Sequence, residues 1–119
     1  MSNIKQTLDS FLNLDGAMCC AVVDANSGMM LGSSGTGLDL ELAAAGNTEV
    51  VRAKMKTMSS LKLNDSIEDI LITLGKQYHI IRPIAAKQGL FLYTVLDKTR
   101  ANLAMARRKA LEIENELVI

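Results

Sequence analysis

Apolar residues recur at helical spacing from the start of the chain. Ile4, Leu8, Phe11 and Leu12 fall on one face of a helix predicted over residues 2–14, with Ser2 placed to cap it. Asp15-Gly16 ends that helix. The nearly unbroken apolar run over 17–24 then reads as a strand buried on both faces. Asn26-Ser27-Gly28 signals a turn, and 29–32 a short return strand that completes a hairpin. The stretch Gly32-Ser33-Ser34-Gly35-Thr36-Gly37 reads as a flexible loop. From Leu38 to about Ser60 the composition is helical. Three strands follow, over 66–74, 78–84 and 90–96. The first two are joined by Gly75-Lys76 as a two-residue hairpin turn, and Pro83 stands near the end of the second, where it suits a strand end or edge. A last helix spans 100–117, capped by Asp97 or Thr99. Its seam is Leu103, Ala106, Ala110, Ile113 and Leu117, in steps of three and four.

The order is therefore α-β-β-α-β-β-β-α over one domain, residues 1–119. Short connections favour antiparallel pairing, so the expected fold is α/β (α+β) with a single five-stranded, mostly antiparallel sheet and helices on both faces. The middle helix breaks the usual amphipathic rule. From Leu38 to Gly46 it is apolar around most of its circumference, which implies cover on more than one side. One side is the sheet. The other points to a partner chain, and Ala43, Ala44 and Gly46 would let another backbone come close. Farther on, Val51, Met55 and Met58 keep an apolar stripe while Arg52, Lys54 and Lys56 face outward.

Composition narrows the functional classes. Thirteen basic residues balance thirteen acidic ones, which argues against a chain built to hold nucleic acid by counterion release. Aromatics make up 3% of the chain (Phe11, Tyr78, Phe91 and Tyr93), too few for base-stacking platforms or an aromatic-lined pocket for a small-molecule substrate. The neutral total hides a gradient. Residues 1–50 carry one base, Lys5, against six acids, and the bases concentrate after residue 51. Such asymmetry suggests a polar surface for a partner. The start, Met-Ser-Asn-Ile-Lys, has no basic-then-apolar leader, and no apolar run approaches the ~20 residues of a membrane span. Cys19 and Cys20 are adjacent, so on a strand they point to opposite faces. They are expected to be buried and reduced, neither a disulfide nor a zinc site, and a cytoplasmic location follows.

Motifs for chemistry fail one by one. Gly32 and Gly37 have the outer spacing of a phosphate-binding loop, but Leu38-Asp39 stands where Lys-Ser/Thr is needed. A dinucleotide fingerprint starting at Gly35 would need glycine at Leu40, and a nucleophile elbow at Ser34 would need glycine at Thr36. His79 is the single histidine, expected to be structural or to lie at an interface. Arg82 on the same strand could pair with a carboxylate. Glu68 and Asp69 are neighbours on a predicted strand and so diverge, unsuited to a shared acid–base or metal site. Arg107-Arg108-Lys109 read as a solvated helix face, with Arg108 and Glu112 at i,i+4. No catalytic, cofactor or metal residues emerge, and the chain is expected not to be an enzyme.

Several segments together resemble the Roadblock/dynein light chain family, in particular its stand-alone bacterial members of the MglB type. They are Leu14-Asp15-Gly16 before an apolar strand, Val23-Asp24-x-x-Ser27-Gly28, Ile80-Ile81-Arg82-Pro83, Leu92-Tyr93-x-Val95-Leu96-Asp97, and Ala101-Asn102-Leu103-Ala104-Met105-Ala106-Arg107. These blocks run in order along essentially the whole chain. The resemblance implies a profilin-like fold and a homodimer with the middle helix and an edge strand at the subunit junction. It also implies non-catalytic work as a regulator or scaffold for a Ras-like small GTPase, or as an adaptor without one. On this chain the corresponding contact residues are Leu40, Ala43, Ala44, Gly46, Asn47, Val50 and Val51 on the middle helix, with Ile67, Asp69 and Leu71 on the strand after it. A small-molecule sensor of PAS or GAF type shares the size and layer plan but needs a lined pocket, for which this chain has little material.

Overall fold

A computed structural model describes residues 2–119; Met1, where the N-terminal reading began, lies outside them. The elements are α1 (Ile4–Phe11), β1 (Ala17–Asp24), β2 (Met30–Gly35), α2 (Leu40–Ser60), β3 (Ile70–Thr73), β4 (Gln77–Pro83), β5 (Leu90–Asp97) and α3 (Leu103–Glu116). The five strands form one antiparallel sheet in the order β2-β1-β5-β4-β3. The expected element order and sheet are both present.

β1 and β5 are apolar between their ends, save for buried Thr94, because both their faces are covered. Side-chain alternation splits β1 cleanly. Cys20 and Val22 face one layer with Leu8 and Phe11 of α1 and Ala106, Ala110 and Ile113 of α3. Cys19, Ala21 and Val23 face the other with Leu40, Ala44 and Val51 of α2. The neighbouring cysteines thus lie in separate cores, both reduced. Two helices cover the first face and one helix covers the second.

Several sequence boundaries move, each for a physical reason. The glycine-rich stretch is mostly strand rather than loop: β2 continues through Gly35, with Cys19 opposite Gly35 and Val22 opposite Gly32. Gly32 sits directly under Ile4, and Gly35 (φ +86°) sits against the Met18 carbonyl and Cys19, so a side chain at either place would strike the neighbouring element. The strand expected over 66–74 begins only at Ile70, and Ile67 and Asp69 lie in the connection before it. The first helix starts at Ile4, with Asn3 rather than Ser2 at the cap position, though the Ser2 hydroxyl still accepts from Ile4 N–H at 3.4 Å. The Asn3 amide is spent elsewhere, donating to the Glu116 carbonyl and accepting from Val118 N–H, which clasps the two ends of the chain together. The last helix is capped by Asn102, whose side chain accepts from Met105 N–H, while Asp97 and Thr99 form a turn of their own. The Gly75-Lys76 turn is present, closed by Leu74 N–H on the Gln77 carbonyl.

Candidate docking face

The candidate site is the α2 side of the sheet. Asp39 starts the helix by accepting a hydrogen bond from Leu42 N–H at 3.2 Å. Leu40, Ala44, Thr48 and Val51 then recur at helical spacing and are buried, and the Thr48 hydroxyl donates back to the Ala44 carbonyl. This stripe seats α2 chiefly over β1 and β2. A single helix about 10 Å wide cannot cover five strands spaced about 4.8 Å apart. The second face of β4 and β3 is therefore left partly open, with Ile70, Ile72 and His79 half-buried on it.

A trough runs along the flank of α2 that overlooks this open strip. At its N-terminal end a depression of about 330 Å³ is lined by Leu38, Asp39, Leu42, Ala43, Gly46, Asn47, His79 and Tyr93. At its C-terminal end another of about 520 Å³ is lined by Val50, Lys54, Met58 and the 63–70 connection, including Leu63, Ile67, Asp69 and Ile70. Residues 39, 43, 46, 50, 54 and 58 are spaced by three or four, so the two depressions lie along one helix face over about 30 Å. Apolar side chains stay exposed beside it: Leu42 at 71%, Leu63 at 52% and Val50 at 38%. A Cβ added at Gly46 would meet nothing within 4 Å.

The sequence-derived contact residues divide. Ala43, Gly46, Asn47, Val50, Ile67 and Asp69 are brought together along the trough. Leu40, Ala44 and Val51 are not available: they are 9%, 1% and 5% exposed and face the chain's own sheet. The continuous apolar circumference does not show which positions point inward; only the contact stripe does. Leu71 points through the sheet to the α3 side, opposite Ile80, because side chains alternate along β3. Asp69 is tied within the chain to Arg107 of α3 by hydrogen bonds of 3.0 and 3.1 Å. The rest of the basic cluster is paired too, Arg108 and Lys109 both with Glu112. Arg82 finds its carboxylate in Glu114 at 3.0 Å, on the helix above the sheet.

The trough's polar floor was not legible as a unit. His79 Nδ1 lies 2.9 Å from the Tyr93 hydroxyl, and its Nε2 lies 2.8 Å from Gln77 Oε1. The Gln77 amide nitrogen reaches Met18 Sδ at 3.8 Å. The two rings meet edge to face, with centroids 5.6 Å apart. Burial raises the Tyr93 pKa above its ordinary value, partly opposed by a hydrogen bond from Asn47, and burial lowers that of His79. Tyr93 pairs with Ile81 and His79 with Val95, so their meeting is diagonal across the register. Strand alternation would have placed both on the α2 face once the pairing was known. Among the described residues no group of three His, Cys, Asp or Glu side chains could hold a metal ion. None of their helices is long and apolar enough to cross a membrane. An arrangement of this kind works by shape, burial and a few aimed polar groups.

Comparison of the sequence with family models and with curated proteins gives no match. Comparison of the structure with solved structures gives many. A Roadblock/LC7 domain from Streptomyces avermitilis superposes with a TM-score of 0.83 at 9% identity, over 96% of this chain and 93% of that one. MglB of Myxococcus xanthus superposes at 0.74 with 16% identity, over 95% and 86%. An MglB with a tetrameric arrangement superposes at 0.78 with 16% identity, over 92% and 80%. The architecture is thus that of a Roadblock/LC7 domain. The MglB proteins are among the structures it is similar to, at identities that speak for the fold alone.

Proposed function

We propose that this chain is a non-catalytic, homodimeric regulator or scaffold that acts in the cytoplasm as one Roadblock-type domain. It binds a bacterial Ras-like small GTPase and modulates that partner's nucleotide cycle or its location. The observation that carries the reading is the half-covered α2 face: a largely apolar trough about 30 Å long that none of the described residues closes. Similarity to the MglB structures and the family pattern in the sequence support it.

The trough suits a second copy of its own α2. Its lining carries Asp39 at one end and Lys54 at the other, where Asp65, Glu68 and the Arg107-paired Asp69 also stand. If two α2 helices cross antiparallel at Gly46–Asn47, Asp39 of each falls level with Lys54 of its partner. A two-fold contact of this kind repeats that pairing at both ends. Gly46 at the crossing allows close approach. The short strand β3, free along its outer edge, lies beside the trough and extends the same surface. No arginine is positioned as a recognisable catalytic finger, so an effect on hydrolysis would come from shaping the partner's own site.

The test is retention on the immobilised protein. A Ras-like GTPase from the same cell, loaded in turn with GDP and with a non-hydrolysable GTP analogue, is expected to be held in at least one state. Passage of both states through the column unretained would remove the GTPase from the account and leave the adaptor reading in its place.

A further inference from the structure

The floor of the trough contains one imidazole, His79, and its hydrogen bonds suit the neutral ring. Gln77 turns Oε1 toward His79 Nε2 and its amide nitrogen toward Met18. An amide oxygen only accepts, so Nε2 carries the hydrogen and Nδ1 is left as an acceptor. The Tyr93 hydroxyl fills that role by donating to Nδ1, with Asn47 of α2 in the same lining. The run from Tyr93 through His79 to Gln77 is satisfied as it stands with a neutral imidazole. A second proton on Nδ1 would require the Tyr93 hydroxyl to turn its hydrogen away and become the acceptor, and would place a charge in the trough floor.

We propose that closure of the trough is proton-linked through His79: the second copy docks over the neutral ring and is released as the ring protonates. The proposal rests on the homodimer reading above.

The surroundings of the ring support this. From α2 it faces Asp39, Leu42, Ala43, Gly46 and Asn47; from β5, Tyr93 and Val95; from β3, Ile72. Gln77 and Ile81 flank it on β4. Asp39 is the one charged side chain among these, and its carboxylate is engaged by Leu42 N–H. Burial is the force that moves the His79 pKa, downward from 6.5, with no opposing carboxylate. A docked helix would remove the remaining solvent from the ring and oppose its charge further.

The sign follows from linkage. The ring's pKa in the dimer lies below that in the free chain, so association releases protons. Affinity is constant above the free-chain value and falls as pH drops through it. With one ring per chain, a dimer releases up to two protons.

The test is sedimentation equilibrium of the full chain at pH 8 and pH 5, with far-UV circular dichroism confirming the fold at both. Wild type is expected to dimerise about tenfold or more weakly at pH 5. His79→Gln keeps an acceptor for Tyr93 and a donor for Gln77 but does not titrate, and is expected to hold its pH 8 affinity at pH 5. His79 is the single histidine, so its ring proton signal in NMR can be titrated without ambiguity; its pKa is expected to fall as the protein is concentrated. Equal dimerisation of wild type at both pH values, or equal weakening in His79→Gln, overturns the proposal and leaves the dimer standing. A wild type that is monomeric at pH 8 overturns the dimer reading itself.

Discussion

Arg107 of α3 holds Asp69 in two parallel hydrogen bonds, Nε to Oδ2 at 3.0 Å and a terminal nitrogen to Oδ1 at 3.1 Å. Asp69 is the residue immediately before β3. This fork ties the outermost strand to the helix on the far side of the sheet, and so sets where the trough's C-terminal wall stands. Asp69→Ala is expected to cost about 1 kcal/mol in global stability, since Arg107 is partly solvated. Its larger effect is local. Amide hydrogens of Ile70–Thr73 should exchange faster than in wild type while those of β1 and β5 keep their relative protection. Hydrogen exchange read by mass spectrometry distinguishes the two.

Two glycines separate fold from docking. Gly35 has φ +86° and its missing side chain faces the Met18 carbonyl and Cys19 Cα. Gly35→Ala is therefore expected to lose more than about 2 kcal/mol by urea unfolding. Gly46 lies inside α2 with open space around it. Gly46→Ala should stabilise the free chain by about 0.5–1 kcal/mol through helix propensity. Gly46→Arg should keep the fold and lose assembly. Unchanged assembly in Gly46→Arg would show that this face is ordinary surface.

The Arg82–Glu114 pair is the least solvated ion pair among the described residues, with side chains 18% and 9% exposed. Glu114 also accepts from Ala85 N–H at 2.9 Å, so one carboxylate fastens α3 to the end of β4 twice. Glu114→Ala strands a guanidinium and a backbone donor, and is expected to cost about 3 kcal/mol. Glu114→Gln keeps an oxygen for one of the two bonds and should cost clearly less. Urea midpoints of the two variants, compared at equal slope, check the order.

Burial pushes the Cys19 thiol up to about 11 and the Cys20 thiol up to about 12. Both are therefore neutral at pH 8 and should resist a thiol reagent such as DTNB until the protein is unfolded. The linkage has a definite sign. Above pH 9, near the thiols' ordinary value of 9.0, the unfolded chain releases protons that the native chain keeps. Stability contributed by the neutral thiols is thus full below pH 9 and is lost as pH rises toward 11–12. Cys20→Ala should be less stable than wild type at pH 8 but decline less steeply from pH 9 to pH 10.5.

The sheet and its cover were legible because two periodicities carry them. Ala17–Asp24 and Leu90–Asp97 are apolar at nearly every buried position, Thr94 being the polar one, and the seam Ala106, Ala110, Ile113, Leu117 is spaced for one helix face. The adjacent cysteines divide between the two cores as alternation requires. What misled was residue type without partner. Gly32 and Gly35 look like loop residues, yet they are strand residues thinned to admit Ile4 and the β1 backbone. Ile67 and Asp69 look like strand residues, but Asp69 is claimed by Arg107 before pairing begins. At the trough, the small residues of α2 were visible in the sequence. The inward stripe Leu40, Ala44, Val51 could not be told from the outward one, since both are apolar. The Tyr93–His79–Gln77 chain depends on a diagonal strand contact that no local pattern encodes.

In the proposed dimer a second copy of this chain closes the trough along α2. Multi-angle light scattering of the wild type at micromolar concentration and pH 8, beside Gly46→Arg, tests it most directly. Closure by a second copy gives a mass near twice the 12.9 kDa of one chain for the wild type and a single-chain mass for folded Gly46→Arg. A wild type that stays at 12.9 kDa across that range would contradict it.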